Sequence, residues 1–160
     1  MTAAEIIFEV VEPAEPYVED NGVYWFSYDD LHVRELAKAM NAVQARFVTI
    51  TAYELPKNEG FRLEYHWDLA GRLLGFTFNL AANSIDSIYD LCEAADWIER
   101  EVHEEYGIEF TGRDYEPLLL KPGDNVGVNM REIASPAVKQ DGVPARAGVG
   151  LAGCKQEVAK

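Results

Sequence analysis

The stretch FRLEYHWDL alternates from end to end: Phe61, Leu63, Tyr65, Trp67 and Leu69 fall on one side, and Arg62, Glu64, His66 and Asp68 on the other. Successive side chains of an extended strand point to opposite faces, so this order sets one face against a core and leaves the other wet. A helix, at about 3.6 residues per turn, would scatter the aromatic rings around its circumference. Ala70-Gly71 follows, and glycine accepts the positive φ that a tight hairpin turn needs. RLLGFTFNL then returns with Leu74, Phe76, Phe78 and Leu80 on one face. The pattern predicts an antiparallel hairpin, against whose apolar face the rest of the chain must pack.

EIIFEVV and GVYWFSY are apolar and β-rich, and the prolines and Asn-Gly of EPAEPYVEDNG separate them into two short strands or extended arms. In DDLHVRELAKAMNAV, Val33, Leu36, Ala37 and Met40 recur at i, i+3, i+4 and i+7, with Asp29 or Asp30 placed to cap the first turn. That is a helix with one buried face. ARFVTITAYEL alternates Val48 and Ile50 with Thr49 and Thr51 before the turn-like PKNEG, whereas SIDSIYDLCEA suits a short strand or a helical turn equally. From Ala94 to Tyr106 the helical period returns through Ile98, Val102 and Tyr106, and Gly107 reads as a left-handed stop with Ile108 folding back on the last turn. Beyond EPLLLKPGD the Gly-, Pro- and Ala-rich chain has no period and too little apolar surface to fold alone. It is either disordered or ordered along a neighbouring chain, and the second is expected. The fold class is α/β (α+β): a small antiparallel sheet with two helices packed on one face over residues 1–120, and an extended tail over 121–160.

A formal net charge of -14 repels a phosphate backbone, and no basic stripe interrupts it, which excludes nucleic acid as a partner. The acidity concentrates before Lys121, leaving a body suited to a basic protein surface. Strand aromatics such as Tyr65, Trp67, Phe76 and Phe78 could stack on RNA bases, but in so acidic a chain they read as core. Cys92 and Cys154 stand far apart without companions at ligand spacing, so neither a zinc site nor an iron-sulfur cluster can be built from this chain. His32 and His66 read as surface residues. The N-terminus lacks the positive charge of a secretion signal, and no apolar run approaches about 20 residues, so neither export nor a membrane span is expected.

ADWIEREVHEEYGIEFTGR, Ala95 to Arg113, holds the densest chemistry. On a helical wheel Ile98, Val102 and Tyr106 mark the core side and Arg100 and Glu104 fall opposite, while Trp97 and Glu101 share one shoulder and Glu105 sits nearer the apolar stripe. A carboxylate beside such a stripe costs free energy unless something pairs with it. Glu99 and His103 lack the second Glu-x-x-His pair of a carboxylate-bridged metal site. An acid–base site of Glu101, Glu105 and His103 lacks a nucleophile and a phosphate-cradling loop. Two readings remain open on physics alone: a solvated helix face, and a docking surface whose Trp and acids meet arginines on another protein.

WIEREVHEEYGIEFTG closely resembles the signature of the thirty-kilodalton (C-type) subunit of respiratory NADH dehydrogenase, complex I, and of its relatives in membrane-bound, energy-converting [NiFe] hydrogenases. Glu99, Arg100, Glu101, Val102, His103, Glu104, Gly107, Ile108, Phe110 and Gly112 fill the pattern in order, and a weaker likeness runs from Leu31 to Leu120. The resemblance implies a non-catalytic α/β subunit with no cofactor of its own, peripheral on the cytoplasmic side of the membrane. It implies packing against a large [NiFe]-hydrogenase-like subunit and a small iron-sulfur subunit, which carry the clusters and the [NiFe] centre or quinone site. The partner interface it suggests comprises Trp97, Glu99, Arg100, Glu101, Glu105, Gly107, Ile108, Phe110, Gly112 and Arg113. Gly107 and Gly112 would shape the backbone, Ile108 and Phe110 would pack, and Glu99, Arg100 and Glu101 would make polar contacts. Respiratory members usually follow the second Gly with His-Pro-Asp-Leu-Arg-Arg; here Arg113-Asp114-Tyr115-Glu116-Pro117-Leu118 stand instead, and EPLLLKPGD looks more like the hydrogenase branch, where a Pro-Leu-Leu run often follows. A ferredoxin-linked hydrogenase subunit is therefore expected before a complex I subunit, with a free-standing acid–base enzyme a remote third.

Overall fold

The structure is a computed structural model describing residues 17–56 and 59–128. The expected strand in EIIFEVV, Cys154 and most of the tail lie outside the described residues. In chain order the elements are β1 (Val18–Asp20), β2 (Val23–Tyr28), α1 (Val33–Ala42), β3 (Arg46–Glu54), β4 (Phe61–Leu69), β5 (Arg72–Leu80), β6 (Ser84–Asp86), α2 (Ala95–Tyr106) and β7 (Glu109–Thr111). A five-stranded sheet runs in the order β1-β2-β5-β4-β3, and β6 pairs with β7 in a separate two-stranded sheet.

The alternation of Phe61–Leu69 forms β4 as expected, and Ala70 (φ 52) with Gly71 (φ 84) turns it into β5, with Tyr65 opposite Phe76 and Leu63 opposite Phe78. Positive φ at both turn residues matches the right-handed twist of the flanking strands. Both edges of β4 are paired, which explains why its apolar side chains Leu63, Tyr65 and Trp67 are wholly buried. The sheet is not purely antiparallel: β2 pairs parallel with β5, placing Phe26 beside Phe76 with rings stacked at 5.1 Å. On β3 a bulge between Phe47 and Thr49 inserts Val48, which is 40% exposed, so that Phe47 still meets Trp67 and Ile50 still faces the core. Val48 and Ile50, expected on one face, part there because Val48 is itself the inserted residue.

The apolar face of the sheet shares one core with Val33, Leu36, Ala37 and Met40 of α1 and Ala95 and Val102 of α2. On the opposite face Trp25 lies flat over Gly75, leaving no room for a side chain there, and meets His66 edge-on at 5.4 Å. Neither Asp29 nor Asp30 caps α1; His32 occupies that position without a side-chain bond. The helix is held instead from the side, by Arg34 on Asp90 and the Ser87 carbonyl, and by Asn41 on the Leu91 carbonyl. The segment around residues 87–92 is thereby pinned between the two helices.

Candidate docking site

Helix α2 ends where the sequence requires. Gly107 adopts the left-handed conformation (φ 68), and its amide donates to the His103 carbonyl at 2.8 Å. The reversed chain drives Ile108 and Phe110, 0% and 1% exposed, beneath the helix and into β7. Gly112 (φ 83) then turns the chain again, and Arg113 comes back to α2.

Arg113 meets Glu99, whose carboxylate is entirely enclosed. Glu99 accepts the Ser87 hydroxyl at 2.5 Å, the Ile88 amide at 2.8 Å and Arg113 Nη1 at 2.8 Å. The Arg113 side chain is only 4% exposed. It also bonds the Asp96 carboxylate and carbonyl, and lies 4.9 Å and 5.3 Å from the ring centroids of Tyr89 and Tyr115. Burial pushes the Glu99 carboxyl above the ordinary carboxylate range, and the hydrogen bonds and the Arg113 charge offset that only in part.

The outer side of α2 is wrapped by residues 113–127. Arg100 donates to the carbonyls of Glu116 (2.9 Å) and Pro117 (3.0 Å) and pairs with Asp96. Glu104 receives three consecutive amides, from Leu118 (2.6 Å), Leu119 (2.7 Å) and Leu120 (3.0 Å), and its backbone carbonyl receives the amide of Gly127. Burial raises the Glu104 carboxyl, but the three amides and nearby Arg100 outweigh it and hold the group below the ordinary range. His103 Nδ1 bonds the Ile108 carbonyl, and its ring stacks on Tyr115 at 3.9 Å. The Tyr115 hydroxyl takes the Phe110 amide, and burial pushes it up to about 12. A His tied to a carbonyl and covered by a tyrosine serves to position β7 and the wrapping segment.

The wheel places Arg100 and Glu104 opposite the sheet, where water would be expected; a second layer of chain lies there instead. The carboxylates that α2 buries, Glu99 and Glu104, find partners within this chain, whereas Glu105, the acid expected to need one, stays half-buried without one among the described residues. Of the residues expected at an interface, Glu99, Ile108, Phe110 and Arg113 are used internally, Arg100 is mostly so, and Gly107 and Gly112 set the turns. Trp97, at 70% exposure, projects outward, and half-buried Glu101 and Glu105 follow it at four-residue intervals. None of these three side chains has an ion pair or hydrogen bond among the described residues. Sequence reasoning missed Ser87, Tyr89, Asp96, Glu104 and Tyr115, which build the frame. The only local signal was Asp96 and Arg100 at i, i+4.

Among the described residues no group of three His, Cys, Asp or Glu side chains is arranged to hold a metal ion, and no helix is long and apolar enough to cross a membrane. NAD(P)H-quinone oxidoreductase subunit J from Synechococcus sp. (strain CC9902) is 43% identical over 61 residues, covering 38% of this chain and 32% of its own length. The same subunit from strain CC9605 is 45% identical over 49 residues, covering 31% and 26%. The matched stretches thus span about a third or less of those relatives. Among solved structures, Nqo5 of a trypsin-resistant fragment superimposes with a TM-score of 0.58 at 19% identity, over 72% of this chain and 100% of that one. A chain of the membrane-bound sulfane sulfur reductase, an archaeal respiratory membrane complex, gives 0.64 at 22% identity over 78% of each. Both share the fold. Residues 27–136 match the family described as the 30 Kd subunit of respiratory-chain NADH dehydrogenase, and to that family the chain belongs.

Proposed function

We propose that the chain is a non-catalytic docking subunit in the hydrophilic arm of a complex I-like, membrane-bound [NiFe] hydrogenase. Its neighbours are a large [NiFe]-hydrogenase-like subunit holding the [NiFe] centre and a small iron-sulfur subunit. The assembly couples ferredoxin-linked electron transfer to ion translocation, and this chain sits at its cytoplasmic face with residues 121–160 lying along the partners. The observation that carries the reading is the stripe Trp97, Glu101 and Glu105, an exposed indole followed by carboxylates with no partner among the described residues, while the acids that α2 buries, Glu99 and Glu104, are satisfied. Aromatic anchors ringed by charge are what protein interfaces concentrate their binding energy in. The hydrogenase branch is favoured because the residues that replace the quinone-type His-Pro-Asp-Leu-Arg-Arg are built into this chain's own frame, Arg113 on Glu99 and Tyr115 on His103.

The subunit J relatives favour a second reading, a C-type subunit of NADH:quinone oxidoreductase. Affinity capture of the full chain from solubilised native membranes separates the two by the chemistry of the large subunit recovered, one with paired Cys-x-x-Cys motifs for the [NiFe] centre or one without. Trp97→Ala and Glu101→Lys are expected to release the chain while leaving its isolated fold intact. Arg100→Ala is not a clean probe, since Arg100 also ties down residues 116 and 117. Recovery of the native chain near its own 17.9 kDa, without companions, would overturn the docking reading.

A further inference from the structure

The segment wrapping α2 is built inside out. Its inward contacts are polar: the amides of residues 118–120 on the Glu104 carboxylate, the carbonyls of Glu116 and Pro117 on Arg100, and the Gly127 amide on the Glu104 carbonyl. Its outward side includes three apolar side chains, Leu119, Val126 and Val128, at 64%, 44% and 57% exposure, among the exposed polar ones of Glu116, Lys121, Asp124 and Asn125. Single exposed apolar residues are ordinary. Three so close in the chain, on a backbone held by a buried carboxylate, form a ridge whose shape is set in advance. Lys121-Pro122-Gly123-Asp124 makes a turn, with Gly123 at φ 96, closed by the Asp124 amide on the Lys121 carbonyl and the Lys121 amide on the Asp124 carboxylate. That turn brings Val126 back to an open cleft of about 140 Å³ between the segment and α2, whose apolar wall includes Pro117, Leu120 and Pro122 and whose rim carries the charged Arg100, Glu116 and Lys121.

The ridge is continuous with the stripe on α2. Glu104 and Glu101 are three apart on the helix and therefore adjacent on its surface, so the residues gripped by Glu104 run alongside Trp97, Glu101 and Glu105. A cavity of roughly 150 Å³ accommodates one benzene ring, so the apolar wall of this open cleft has room for a single side chain of that size. Glu101, Glu105 and Glu116 have no ion pair among the described residues, in a chain of net charge -14. Resting on the docking reading above, we infer that the outer face of residues 116–128 receives the neighbouring polypeptide. The neighbour presents one apolar side chain of leucine or phenylalanine size to the cleft, flanked by arginine or lysine. Glu104 is the positioning residue that gives the ridge its form.

The test uses the full chain, affinity-tagged in its native host. Leu119→Asp and Val126→Asp are each expected to lower the amount recovered in the large particle at least tenfold, with the circular dichroism of the isolated chain unchanged. Val18→Asp, on β1 at the sheet edge opposite the strand that α2 packs against, serves as the comparison and is expected to stay within twofold of the unaltered chain. A photo-crosslinker at position 119 is expected to join a second polypeptide at an apolar residue beside a Lys or Arg. If Trp97→Ala dislodges the chain while both strap variants assemble normally, the docking reading stands and this inference falls. If the unaltered chain enters no particle, both fall together.

Discussion

Replacing Arg113 tests whether α2 is held from within. Removing one member of a buried ion pair costs about 3–5 kcal/mol, because the other charge stays enclosed without its counterpart. Here Glu99 keeps the Ser87 hydroxyl and the Ile88 amide, which places the cost at the lower end. Losing the guanidinium between Tyr89 and Tyr115 adds about 0.5–1 kcal/mol, so Arg113→Met is expected to cost about 3.5 kcal/mol. Glu99→Gln keeps the shape and an acceptor for the Ile88 amide, and should cost about 1–2 kcal/mol. The double variant removes both charges together and should lie only about 0.5–1 kcal/mol above Glu99→Gln alone, the part owed to the lost ring contacts, giving a coupling energy of about 2.5–3 kcal/mol. Urea unfolding of the four proteins at pH 7, followed by tryptophan fluorescence, measures it. The sign of the pH dependence is a second check. A carboxyl whose folded pKa lies above its unfolded value contributes most below the ordinary carboxylate range and loses that contribution as pH rises through the folded value. Burial already raises Glu99, and loss of Arg113 raises it further, so the deficit of Arg113→Met should shrink as pH falls from about 7 toward 5. Additive costs, or a deficit that ignores pH, would refute the internal lock.

Glu104→Gln removes the charge that gathers three amides, and exchange at the Leu118–Leu120 amides should quicken at least tenfold, about 1.4 kcal/mol, in hydrogen-exchange mass spectrometry. Because the Glu104 carboxyl lies below its ordinary range, its contribution is present above the unfolded pKa and is lost as pH falls through the folded one; acid should therefore loosen these amides ahead of those in β4. Gly107→Ala forces a Cβ into the left-handed region and should cost about 1–2 kcal/mol, read as a lowered melting temperature with the fold retained. Gly75→Ala puts a Cβ 2.5 Å from Trp25 Cε3, so the indole must lift from the sheet at a cost of about 1–3 kcal/mol, and its emission should shift to the red.

What the sequence made legible was local. The period of two in β4 and β5, the period near 3.6 in both helices and the glycine stop at 107 each depend on neighbours a few positions away, and each reads correctly. The parallel pairing of β2 with β5 joins Val23 to Leu73, and no local pattern announces a partner so remote along the chain. The bulge at Val48 breaks the alternation of β3 by one residue, which a pattern of Val and Thr, both at home in strands, cannot reveal. Glu104 was misread for the same reason. A wheel knows which side of a helix faces the sheet, but not that residues 116–127 return to cover the other side.

The densest part of the motif is thus mostly interior wiring. Glu99, Ile108, Phe110 and the turns at Gly107 and Gly112 are spent on holding α2 to β7 and to the segment before it, while Trp97, Glu101 and Glu105 thread between them facing out. Frame residues and outward-facing residues alternate along one helix because its turn of about 3.6 residues sends adjacent positions to different sides. Arg113 shows what the frame demands. It must satisfy Glu99 and Asp96 at once, from a single side chain between two aromatic rings, and the five N–H donors of a guanidinium can do so where the two ring nitrogens of a histidine could not. The departure from the quinone-type pattern at this position is therefore matched by the acids and rings that surround it, and assembly defects caused by changes at Glu99 or Arg113 would report on the frame before they report on any surface a partner touches.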